Sequence, residues 1–97
     1  MPEFPGGMSN LMSFLGKNIR YPAIAKNNNE QGRVFVNFVV EKDGSISNAK
    51  VVSGVSPTLD AEALRVINAM PNWIPGTQKG KPIRVTYNLP VKFTIQR

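Results

Sequence analysis

The chain has 97 residues with neither cysteine nor histidine, enough for one small domain but without thiol nucleophiles, disulfides, imidazole bases or the usual zinc and haem ligands, so no catalytic residue, metal or cofactor is assigned. Twelve Lys and Arg against six Asp and Glu give a net charge of +6, which favours anionic partners, yet the cations lie in different elements with no basic recognition helix or aromatic platform, so nucleic acid is not expected. No apolar run approaches the ~20 residues of a membrane span; the opening Met1-Pro-Glu-Phe-Pro-Gly-Gly7 reads as a module cut from a longer protein, with any anchor outside this chain.

In chain order, Pro5-Gly6-Gly7 reads as a turn or flexible lead, and Ser9 is placed as the N-cap of a first helix from about residue 9 to 18. Met8, Leu11, Met12, Leu15 and Ile19 recur at helical spacing and are expected to face the core, the methionines as gap fillers rather than as a binding groove. Tyr21-Pro22 ends this helix, because the residue before a proline avoids the helical region. A loop or helical turn at residues 23–26 leads into a polar loop at residues 27–32. On this reading the lead and first helix occupy residues 1–20, and the remainder of the single domain residues 21–97.

Residues 32–41 form the most strand-like segment, with Val34, Val36, Phe38 and Val40 on one face and Phe35 and Val39 on the other, the pattern of a central strand. Asp43-Gly44 supplies the hairpin turn, and residues 46–53 return as a second strand whose register the adjacent Val51 and Val52 leave open. Ser56-Pro57-Thr58 opens a second helix with a core stripe of Leu59, Ala63, Val66, Ile67 and Met70, stopped by Pro71. Asp60 and Glu62, two apart, diverge on a helix, so they suit its positive end rather than acid–base catalysis. Arg65 reads as a solvated helix residue, and Trp73 as a core plug in preference to a recognition aromatic.

Residues 83–95 hold one period-two pattern, with Ile83, Val85, Tyr87, Leu89, Val91, Phe93 and Ile95 apolar. Pro90 falls on the polar set and has no N–H, so the third strand belongs at a sheet edge with the backbone groups of Arg84, Thr86, Asn88 and Pro90 turned outward. Such an edge is either an aggregation hazard or a docking rail for an extended peptide; in the plainer alternative Pro90 divides the segment into two short strands with no docking role. The predicted fold is α+β, two helices packed on a three-stranded antiparallel sheet of order 2-1-3.

Several segments together resemble one family: Tyr21-Pro-Ala-x-Ala25, Gly32-x-Val-x-Val-x-Phe-x-Val followed by Asp43-Gly44 and Ile46, Leu59-Asp-x-Glu-Ala-Leu64, and Met70-Pro-x-Trp-x-Pro-Gly76. They are similar, in this order, to the C-terminal domain of TonB proteins, and the opening Phe4-Pro-Gly-Gly7 and the segment from Gly80 to Phe93 resemble versions from the Bacteroidetes. The resemblance implies a periplasmic domain, tethered to the inner membrane and to its proton-channel motor complex by a region outside this chain. Such a domain grips the TonB box of outer-membrane transporters, pairs its last strand with it, and passes on a pull derived from proton-motive force for substrate import. Carried onto this sequence, it places the peptide-binding edge at Ile83, Arg84, Val85, Thr86, Tyr87, Asn88 and Leu89, with accessory contacts from Asn18, Arg20 and Lys81. Two other readings stand beside it: a TonB-like interaction module on a membrane sensor or peptidase-like protein, and a strand-swapped homodimer.

Overall fold

The computed structural model describes residues 2–95. Helix α1 (Met8–Asn18) and the short α2 (Ala23–Asn27) precede a hairpin of β1 (Gly32–Val40) and β2 (Ile46–Ser53); helix α3 (Pro57–Asn68) then leads to β3 (Gly76–Gln78), β4 (Lys81–Ile83) and β5 (Val85–Phe93). The main sheet is antiparallel with order β2-β1-β5, as the patterning predicted, while β3 and β4 form a separate two-stranded hairpin. Three helices rather than two are present, because the turn after Pro22 closes into α2.

Each element follows from local chemistry. In α3 the Ser56 hydroxyl accepts a hydrogen bond from the Leu59 N–H at 3.2 Å, and Pro57 occupies the first turn, where its missing N–H costs nothing. Helix α1 starts differently from expectation: its N-cap is Gly7, with no side-chain cap, so Ser9 lies inside the helix. The β1–β2 turn depends on Gly44, whose φ of 88° is costly for other residues and whose position would put a Cβ 2.0 Å from the Trp73 carbonyl oxygen. The same glycine's carbonyl accepts the Trp73 N–H at 2.8 Å, so the turn also fixes the segment after α3.

One face of the sheet is the core. Val34, Val36, Phe38 and Val40 of β1 and Leu89, Val91 and Phe93 of β5 are buried beneath Leu11 and Leu15 of α1 and Leu59, Ala63, Val66 and Ile67 of α3. Each fully buried side chain of this kind contributes about 1.5–3 kcal/mol. Trp73 is only 4% exposed and anchors an aromatic cluster with ring centroids 5.1 Å from Tyr87, 5.4 Å from Phe38 and 5.7 Å from Phe4, so it is a core plug, as expected. Phe4 is buried too, and Glu3 exchanges backbone hydrogen bonds with Ile74 at 2.9 and 2.7 Å. The lead is therefore tied to the core, with Gly7 N–H donating to the Phe4 carbonyl at 2.8 Å to close its turn.

Two expectations are corrected. The long third strand is not continuous from residue 83 to 95: Ile83 pairs with Gly76 in the small hairpin, Arg84 lies between β4 and β5, and Thr94 and Ile95 lie past the end of β5. The cause is a two-residue turn at Lys79-Gly80, both with positive φ, which folds residues 81–83 back onto β3. Met8 and Met12 are not core residues either; they are 57% and 50% exposed, and only Leu11 and Leu15 of that stripe are fully buried.

Candidate functional site

The β5 edge is built on β1, which pairs with it in unbroken register from Gly32↔Phe93 to Val40↔Val85. Pro90 lies opposite Phe35, and since proline has no N–H to exchange, this pair takes a non-hydrogen-bonded position. Alternation along an antiparallel ladder then turns the N–H and C=O of Thr86 and Asn88 away from β1, toward the side of β5 on which the sheet has no further strand among the described residues. Of the seven residues predicted for the edge, Val85, Thr86, Tyr87, Asn88 and Leu89 lie in β5, whereas Ile83 and Arg84 do not.

The opposite edge differs in shape. β2 meets β1 with register irregularities between Phe35 and Val36 and between Asn37 and Val39, and Val52 protrudes at the first of them. Bulges of this kind twist an edge away from further pairing.

Lys92 is the one charged residue of β5. Arg33 and Lys92 face each other across the β1–β5 ladder, both exposed, a like-charge pairing worth about 0.2–1 kcal/mol of destabilisation. Arg84 is already engaged: its Nε lies 2.7 Å from Glu41 Oε1 and its Nη2 3.2 Å from Oε2. That guanidinium, helped by the Ser47 hydroxyl, holds the Glu41 carboxyl below the usual carboxylate range. The Arg84 guanidinium is thus engaged within the domain, while Lys81 is exposed on the small hairpin opposite Gln78. Asn88 uses its side chain within the sheet, where its Oδ1 accepts from Asn37 Nδ2 at 2.7 Å, so only its backbone is available to another strand.

The accessory residues Asn18 and Arg20 are held by α3. Arg65 donates from Nε and Nη2 to the two Glu62 carboxylate oxygens at 2.8 and 2.7 Å, and from Nη2 to the Asn18 carbonyl at 2.8 Å; Glu62 Oε2 also accepts the Arg20 N–H at 2.7 Å. Arg65 is exposed, as expected of a solvated helix residue, and it also clamps α3 to the end of α1. It depresses the Glu62 pKa, and the Arg20 N–H adds to the effect. Asp60, by contrast, takes the Val55 N–H at 3.0 Å and closes the loop before α3.

Sequence reasoning missed the groove beside the β5 edge. At one end, Phe4, Met8, Leu11, Trp73 and Tyr87 line a cavity of 260 Å³. At the other, Gly16, Ile19, Tyr21, Lys92, Phe93 and Thr94 line a wider depression of 480 Å³. Helix α1 contributes to both, with Met8 and Leu11 at the first cavity and Gly16 at the second, next to Ile19 just past its end. The i, i+4 recurrence was visible in the sequence, but it does not say which part of the stripe overhangs the sheet.

The family model for the Gram-negative bacterial TonB protein C-terminal region matches residues 17–95. The fold matches two NMR solution structures of the Helicobacter pylori TonB C-terminal domain. One, of residues 179–285, has 25% identity and a TM-score of 0.66, covering 89% of this chain and 78% of that one. The other, of residues 194–285, has 25% identity and a TM-score of 0.67, covering 89% and 90%. No curated protein matches the chain. The chain belongs to the TonB C-terminal domain family.

Proposed function

We propose that this domain acts without catalysis, as the periplasmic end of an energy-transducing protein, by adding the TonB box of an outer-membrane transporter as a further strand on β5. In this reading the domain is tethered to the inner membrane through sequence outside this chain, and a pull supplied by a proton-driven motor complex loosens the transporter for substrate import. Membership of the family and its fold are consistent with a role in TonB-dependent transport. The observation that carries the finer reading is the contrast between the edges: β5 runs nine residues in regular register with its outer side unpaired, whereas β2 is bulged. Pro90 removes one outward donor, so backbone pairing is densest from Val85 to Leu89, and a peptide that runs on past Pro90 meets the charge of Lys92. The net charge of +6 also disfavours docking a second copy of the chain on this edge and favours an acidic peptide.

Titration of the ¹⁵N-labelled domain with TonB-box peptides from candidate transporters tests this. The expected result is a set of amide shifts concentrated at Thr86, Tyr87, Asn88 and Leu89. Shifts confined to β2, or to Val91 and Phe93, would contradict it.

A further inference from the structure

The main sheet is one strand too narrow for its helices. Two packed helices need about 20 Å of sheet width, while three strands span roughly 10 Å between their outer axes. Helix α3 packs on β1 and β2, while residues of α1 line one cavity with Tyr87 and another with Phe93, which sets α1 on the β5 side of the sheet. Met8 and Met12 of that helix are exposed. An added strand would extend the sheet by about 4.8 Å under α1.

Parity says what that strand presents to the groove. On β5 the odd residues face the helices, and two of them, Tyr87 and Phe93, each line one of the two cavities. A strand paired with β5 has side chains of the same facing beside those two, six positions apart by residue number. Between them, Leu89 and Val91 are buried in the core and line neither cavity.

One further feature marks the second cavity as receptive. Gly16 sits inside α1, where a glycine costs about 1 kcal/mol relative to alanine, yet a Cβ there would meet nothing within 4 Å. Among the described residues no contact requires glycine at this position, and its bareness widens the cavity beside Phe93. Charge gives the groove a direction: Lys92 borders the Phe93 cavity, and Lys26 lines the depression that adjoins it.

We propose that the peptide docked on β5 is recognised by two apolar side chains six residues apart, one entering the Tyr87–Trp73 cavity and the other the Gly16–Phe93 cavity, with an acidic residue adjoining the second. This rests on the reading of β5 as the docking edge and names the chemistry of its partner. The peptide's backbone supplies the pairing, and these three positions supply the choice among peptides.

The test uses synthetic eleven-residue threonine-rich peptides carrying two leucines six apart and a glutamate beside one of them, against versions with the leucines five apart and with lysine in place of glutamate. Calorimetry gives the affinities, and β5 amide shifts in the labelled domain report edge pairing separately. The six-residue spacing should bind roughly tenfold more tightly than the five-residue spacing, because the latter turns one leucine to the open face. Gly16→Leu should abolish that preference without lowering the thermal midpoint, and Gly16→Ala should reduce it while raising the midpoint. The lysine version should bind several-fold more weakly, with the difference shrinking in salt. Equal affinity for the two spacings, with β5 amides still shifting, would overturn the two-cavity proposal and leave the docking edge standing. Absence of β5 shifts with every peptide would remove the docking edge itself, and the two-cavity proposal with it.

Discussion

The two edges of this sheet flank the same strand, β1, and have opposite characters. β2 is irregular against β1, carries Val52 at a bulge, and lies beneath α3. β5 is regular over its full length and lies beneath the rim of α1, with open space beside it. Both strands are comparable in length, at eight and nine residues, so length does not separate a guarded edge from an open one. What separates them is register: a ladder that stays in step can be copied by a new strand, whereas a bulged one cannot.

The largest expected effect breaks both edges together. Phe38→Ala removes a fully buried ring from β1 and should cost about 3–5 kcal/mol in chemical denaturation, enough to unfold a marginal domain. A denaturation midpoint unchanged by this substitution would mean that the shared strand does not carry the core.

A smaller change acts on one edge only. Asn88→Pro removes an outward N–H from β5 and the side-chain bond to Asn37, so it should weaken peptide binding by about 1–2 kcal/mol, roughly tenfold, while the domain stays folded by circular dichroism. Unaltered affinity would show that the Asn88 amide does not face the partner.

Acid should weaken the tie that Glu62 and Arg65 make between α3 and the end of α1. Arg65 holds Glu62 below the ordinary carboxylate range, so Glu62 adds stability that is complete above that range and is lost as pH falls through its depressed value. The loss should be about 1 kcal/mol or less, seen as a falling thermal midpoint between pH 5 and pH 3, with Glu62→Gln showing a flatter dependence. An equally steep fall in the variant would assign the effect to another carboxylate. The smallest effect is expected at Val52→Asp on β2, 54% exposed, which should change stability and peptide affinity by no more than about 0.5 kcal/mol.

Much of this architecture was legible in the sequence because it depends on period and turn chemistry. The alternation of Val34, Val36, Phe38 and Val40, the Asp43-Gly44 turn and the Ser56-Pro57 helix start each state their structure locally, and Pro90 is enough to place its strand at an edge. The hidden features depend on distance. Nothing local says that Arg84 meets Glu41, 43 residues away, or that Arg65 reaches the Asn18 carbonyl, 47 residues away. The break at Arg84 was masked because the apolar alternation continues through it, although Lys79-Gly80 already had the composition of a tight turn. Met8 and Met12 carry the same period as Leu11 and Leu15, and only the width of the sheet beneath them decides which are covered.

The most direct test of the contrast between the edges is amide hydrogen exchange, residue by residue, with and without a TonB-box peptide. In the free domain Thr86 and Asn88 should exchange fast and Tyr87, Leu89 and Val91 slowly, since only the latter three bond to β1. Bound peptide should slow Thr86 and Asn88 and leave β2 unchanged. Protection that appears on β2 while Thr86 and Asn88 remain fast would contradict the assignment of β5 as the docking edge.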